Sequence, residues 1–182
     1  MSNIPTPPAI IRRPSALAAA ALEVARTQIG VIEIPKGSNN GPQVREYLAS
    51  VSLGPGFAWC AAFAFWCFKK AGQNISQANP LPKTGGVMAM FNTAKGKNLV
   101  RIDAHDGAIS PDAIRPGDIF IMQFAGGLGH TGIVEKVSGD TIITIEGNTD
   151  PAGGREGIGV FSKRRKISGL RGIIRVTEIG AF

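Results

Sequence analysis

Pro55-Gly56-Phe57-Ala58-Trp59-Cys60 carries a Gly/Pro-marked turn straight into an apolar helical stretch, Ala61 to Ala71, and sets a cysteine at the junction. At a helix N-terminus the unpaired backbone N–H groups and the positive end of the dipole stabilise an anion. A thiol placed there ionises more easily than a free one and attacks carbonyl carbon. Cys60 is therefore a candidate nucleophile. The chain's other cysteine, Cys67, lies mid-helix in Ala64-Phe65-Trp66-Cys67-Phe68 and reads as inert apolar filler. Seven helical residues separate the two thiols by about 10 Å, beyond the roughly 7 Å Cα limit of a disulfide, so both are expected to be free. The spacings Cys-x6-Cys and His-x24-His match no common structural zinc site.

Upstream, the four-proline stretch 1–14 reads as a flexible arm, and residues 15–182 read as a single domain with a substantial core. Ser15 is a plausible N-cap for a helix over Ala16–Ile29, with Leu17, Ala21, Val24 and Gln28 on one face and Gly30 as its stop. Pro42 opens a second helix that turns Val44, Tyr47, Leu48 and Val51 inward. The Cys60 helix is expected to end at Ala71 with Gly72 just beyond it, and a short fourth helix covers Val87–Thr93. After about Leu99 the period changes from near 3.6 to near 2. Strands are expected at Leu99–Ile102, Asp118–Phe124, Thr131–Val137, Thr141–Gly147, Gly157–Ser162 and Gly172–Val176. Helices followed by strands predict an α+β layer fold, with N-terminal helices packed on a roughly six-stranded antiparallel sheet.

A thiol nucleophile needs a base held in place by a third group. Of the two histidines, His105 sits in a polar loop, whereas His130 follows Gly126-Gly127-Leu128-Gly129 and opens a strand. If Ser138-Gly139-Asp140 is a three-residue hairpin loop, Val137 pairs with Thr141, His130 stands opposite Asn148, and Gly132 stands opposite Glu146. Side chains two apart share a face, so His130, Glu146 and Asn148 project from one side of the sheet, and either polar residue is placed to orient the imidazole. A one-residue slip would undo this arrangement. Phe57 and Trp59, beside the nucleophile, are candidate cleft-lining residues, with packing against the helix as the equal alternative for Trp59.

The net charge of +7 points to a polyanionic neighbour. The chain has no aromatic-interleaved basic platform or recognition helix, which argues against nucleic acid. Its densest basic run, Lys163-Arg164-Arg165-Lys166, reads as a solvated hairpin end. No apolar run is long enough to cross a membrane, and the N-terminus does not read as a signal peptide.

Four pieces together resemble a known family, the cysteine, histidine-dependent amidohydrolases/peptidases, or CHAP domains, among the papain-like cell-wall hydrolases. They are Trp59-Cys60-Ala61-Ala62-Phe63, Arg115-Pro116-Gly117-Asp118-Ile119, Gly129-His130-Thr131-Gly132-Ile133-Val134 and Ile145-Glu146-Gly147-Asn148. They occur in the family's order, within a resemblance that spans about Ala18 to Val176. It implies Cys60 as nucleophile, His130 as general base and then acid, and Glu146 with Asn148 orienting or polarising the imidazole, while Asp118 is structural. It also implies bacterial peptidoglycan as substrate, cut at the muramic acid–stem peptide amide or within the peptide. That fits a phage lysin or a secreted antibacterial effector made in the cytoplasm and delivered to the periplasm or wall, with an immunity protein as a possible partner in the second case. Some members carry an aspartate-rich calcium loop upstream of the cysteine. The stretch Lys36-Gly37-Ser38-Asn39-Asn40-Gly41-Pro42 has no acid, so no metal or cofactor is expected. Two other readings stay open, a thiol acyl or amide transferase on the same scaffold and a non-catalytic wall-binding module.

Overall fold

In a computed structural model that describes residues 13–104, 109–151 and 157–178, the Ser15 hydroxyl accepts the Ala18 N–H and starts helix α1 (Ala16–Thr27). Residues 1–12 of the proline-rich arm, and His105, lie outside the described residues. Helix α1 buries Leu17, Ala18, Ala21, Leu22 and Ala25. The apolar stripe therefore runs through Leu22 and Ala25, and Val24 and Gln28, expected inward, are half-buried at its margin. Pro42 opens α2 (Pro42–Ser50), which buries Val44, Tyr47 and Leu48, with Val51 covered just beyond its end.

Helix α3 (Cys60–Ile75) is longer than its sequence suggests. Gly72 lies inside it, and the left-handed residue that ends it is Ser76, at φ 57°. The glycine serves packing: a Cβ there would stand 2.3 Å from the Gln77 carbonyl oxygen, where the chain turns back after the helix. Helix α4 covers Val87–Thr93, as the periodicity predicts. Among the described residues no helix is long and apolar enough to cross a membrane.

The strands are β1 (Leu99–Asp103), β2 (Ile119–Gln123), β3 (Gly129–Ser138), β4 (Thr141–Thr149), β5 (Gly159–Lys166) and β6 (Gly172–Val176). They form one antiparallel sheet in the order β1-β6-β2-β3-β4-β5. The fold is thus α+β and papain-like. One sheet face, through Ile119, Ile121, Ile133, Ile145, Val160 and Ile174, packs with the helices in the main core. The other face buries Phe120, Val134, Ile142 and Ile173 beneath Ile109, Ile114, Ile167 and Leu170.

Two sequence expectations change here. The basic run 163–166 is not a hairpin end: it continues β5, pairing Lys163, Arg164, Arg165 and Lys166 with Thr144, Ile143, Ile142 and Thr141. The charges fit a strand because their partners lie across it: Arg164 donates to the Thr141 hydroxyl, and Arg165 binds Glu146. The β3–β4 loop has two residues, Gly139 and Asp140, because Ser138 pairs with Thr141 and Val137 with Ile142. A bulge between Val134 and Lys136 then inserts one extra residue, Glu135, whose carboxylate binds Arg26 of α1 at 2.9 Å. Past the bulge Ile133 pairs with Ile145. That register, continued, sets Gly132 opposite Glu146 and His130 opposite Asn148. The shorter loop and the bulge cancel, so the expected alignment holds where the candidate site lies.

Candidate active site

Cys60 is the first residue of α3, and no side chain caps that helix start. The first-turn N–H groups are left to act on whatever lies at the thiol. The position is fixed from behind by aromatic packing. Trp59 is fully buried, its ring stacked on Tyr47 at a centroid distance of 5.5 Å, with Phe63 and Trp66 edge-on to the same tyrosine. Of the two roles open to Trp59, the structure shows packing. Its indole N–H donates to Glu33 Oε1 at 2.8 Å, and Glu33 Oε2 accepts the Asn39 N–H at 3.1 Å. The Gly56 N–H in turn donates to the Asn39 carbonyl at 2.9 Å. Buried Glu33 thereby ties the loop over residues 35–41 to the segment that delivers Cys60. Phe57, three residues before the thiol, is 56% exposed.

From the sheet, β3 brings His130 and β4 brings Glu146. A Cβ at Gly132 would stand 2.6 Å from the Ile145 carbonyl and 2.8 Å from Glu146 Cγ, so the glycine leaves the room in which the glutamate lies. At Gly147 a Cβ would stand 2.7 Å from both Phe63 and Trp59, which is how closely β4 approaches the start of α3. His130 Nε2 lies 2.7 Å from Glu146 Oε2, and the imidazole also interacts with Cys60. With Nε2 engaged by the carboxylate, Nδ1 is the nitrogen left to serve the thiol. Asn148, at φ 54° in the left-handed region, sits where β4 bulges against β5, half-buried. Of the two candidate orienters, Glu146 is the one bonded to the imidazole.

The charges are strongly coupled. Burial favours neutral imidazole, but hydrogen bonds to Cys60 and Glu146, and their negative charges, outweigh it and raise His130 to about 9. Burial likewise favours a protonated Glu146. Hydrogen bonds and positive charge from Arg165 and His130 prevail, however, and lower its carboxyl to about 2. Cys67, fully buried, has its thiol pushed well up by burial. Asp118 accepts the Arg115 N–H in the turn before β2, the backbone bond expected of it, and also binds Arg175 in a two-point pair.

Two site residues escape sequence reasoning. Glu33 gives no local signal beyond a lone acid in an apolar segment. Arg165 was hidden in the basic run, although period-2 alternation through Phe161 and Lys163 would place it on one face of a strand. Phe124 and Leu128, each about half exposed, flank the glycine loop that precedes His130 and are joined by a Phe124 N–H to Leu128 carbonyl bond of 2.8 Å.

The fold is shared with solved structures. The endolysin LysIME-EF1 superposes with a TM-score of 0.58 at 15% identity, covering 90% of this chain and 66% of that one. Ly7917 gives 0.51 at 16% identity, covering 87% and 62%. The chain thus spans just under two thirds of the length of each. No curated protein sequence matches. The family model of the CHAP domain matches residues 52–148, which run from just before the Cys60 turn through Asn148 and make up more than half of the chain. The chain belongs to the CHAP domain family.

Proposed function

We propose that this protein is a peptidoglycan hydrolase that cuts an amide bond by thiol catalysis, with Cys60 as nucleophile, His130 as base and acid, and Glu146 as its orienter. The observation that carries the reading is a half-buried imidazole that interacts with both a cysteine at an uncapped helix start and an ionised, fully buried glutamate. The Cys60 thiolate attacks the amide carbonyl carbon. The resulting oxyanion is held by the Cys60 backbone N–H and a further donor in the Phe57–Trp59 segment. Protonated His130 gives its proton to the leaving amine as the C–N bond breaks, which leaves a thioester. Neutral His130 then takes a proton from water, whose oxygen attacks the thioester; the C–S bond breaks, a carboxylic acid leaves, and the Cys60 thiolate is restored beside protonated His130.

Exposed Phe57, three residues before the thiol, and Phe124 and Leu128, which flank the glycine loop before His130, are the apolar side chains offered to the stem peptide. The scissile bond is the muramic acid–alanine amide or a peptide bond of the stem or cross-bridge. The endolysin neighbour and the positive charge support action in the wall or periplasm, after delivery by lysis or secretion.

The test is mass spectrometry of purified sacculi, of both chemical types, digested by the wild type and by Cys60→Ala and His130→Ala proteins. New amine termini released by the wild type, and lost in both variants while the fold survives, are the expected outcome; their position names the bond. Full activity in Cys60→Ala would sink the assignment. Products that form only with an added amine acceptor would make the enzyme a transferase, and binding without release would make it a wall-binding module.

A further inference from the structure

Every lone-pair direction of the Glu146 carboxylate that the site uses is engaged at once. Oε2 accepts from His130 Nε2 at 2.7 Å and from Arg165 Nη2 at 2.5 Å, while Oε1 accepts from Arg165 Nε at 2.8 Å and from the Thr144 hydroxyl at 2.6 Å. The Glu146 side chain has no exposed surface, and that of Arg165 is 22% exposed. The guanidinium fork therefore grips a carboxylate with no other access to solvent. We propose that Arg165 is a positioning residue: its fork locks Glu146 in the rotamer that reaches His130 and supplies the fixed positive charge that this buried carboxylate needs. The proposal rests on the thiol–imidazole reading above and extends it by one residue.

Among the described residues, the charged groups around Glu146 can be named. From β3 there is His130, with Cys60 of α3 beyond it. From β5 there are Arg165 and Lys163, but the Lys163 ammonium is spent on the carbonyl oxygens of Asp150 and Pro151. Asp150 also acts on Arg165, raising its affinity for the proton. Among these groups, Arg165 is the one cation that stays charged at every working pH and bonds Glu146 directly. Without it, burial drives Glu146 towards its protonated form, and a protonated Glu146 no longer stabilises the imidazolium that stabilises the thiolate. The effect of losing Arg165 is therefore concentrated at acid pH, unlike a general loosening of the fold.

Alkylation of Cys60 by iodoacetamide reads the thiol–imidazole pair without any substrate, so the result stands even if sacculi prove not to be the substrate. Rates are measured from about pH 4 to 9 on the full chain, for wild type, Arg165→Gln, Glu146→Gln and the double variant. The expected result is that the acid limb of Arg165→Gln moves up by about one pH unit, so alkylation is roughly tenfold slower at the acid end and within about twofold at the alkaline end. A profile that superimposes on the wild type, or that falls equally at every pH, overturns the proposal.

Unfolding is detected by labelling of Cys67, which the fold buries completely. If Arg165→Gln unfolds, the double variant decides, since it strands no buried carboxylate. Its profile should coincide with that of Glu146→Gln; any further shift means that Arg165 acts by another route and overturns the proposal.

Discussion

His130 and Glu146 are held away from their ordinary titration in opposite directions, and this sets a window of pH in which the pair stabilises the fold. His130 is raised from 6.5 to about 9, so its contribution is full below 6.5 and is lost as pH rises through about 9. Glu146 is lowered from 4.5 to about 2, so its contribution is full above 4.5 and is lost as pH falls through about 2. The two overlap between 4.5 and 6.5. The thermal midpoint of wild type should exceed that of Glu146→Gln by most in that interval, with the gap closing towards alkaline pH; a gap that widens above pH 9 would contradict the assignment. Under the proposed mechanism the same titration limits catalysis, so kcat/KM should fall as pH rises through about 9, where the leaving amine would lose its proton donor. Asn148, placed opposite His130 but not its bonded orienter, should matter less. Asn148→Ala is expected to lower kcat by roughly tenfold or less and Glu146→Gln by about a hundredfold or more, as steady-state rates would show.

At the scale of elements, the closest fit is between β4 and α3. Gly147→Ala puts a methyl group 2.7 Å from Phe63 and Trp59, so one of the two elements must move; a loss of about 1–3 kcal/mol in denaturant unfolding is expected, together with lower activity. An unchanged midpoint would mean that the helix start yields freely. The elements themselves were largely legible in the sequence, because Ser15, Pro42 and the change of period after Leu99 are local signals. What was not legible depended on partners distant in the chain. The bulge at Glu135 exists with Arg26 of α1 to receive its carboxylate, and Gly72 is tolerated in mid-helix because Gln77 folds back over it. Likewise Arg165 could not be told from its basic neighbours until β4 was known to set Glu146 beside it. The pairing of His130 with Glu146 was readable because hairpin register is a short-range property, and the shorter loop and the bulge displaced that register by equal and opposite amounts.

Across the whole molecule, the net charge of +7 is a property of the surface, since Glu146 and Asp118 already have their own arginines. Exposed Arg164 and Lys166 line the outer strand β5, where cations also discourage pairing with another sheet. Attraction of this kind is screened over about 10 Å at 0.1 M salt and about 3 Å at 1 M. Co-sedimentation of the Cys60→Ala protein with sacculi should therefore fall several-fold between low and high salt. Salt-independent retention would show that apolar contacts at Phe57, Phe124 and Leu128 hold the wall instead.

The two-residue turn at Gly139 and Asp140 stands at the far end of β3 from His130, roughly 30 Å away along an extended strand. Because the bulge lies between them, and Arg26 pins it, slack introduced at the turn is absorbed before it reaches the catalytic end. The hairpin tip is accordingly a natural tether point. A wall-anchoring module or a fluorophore grafted there would stand clear of Cys60 and His130 and leave the strand alignment behind it intact.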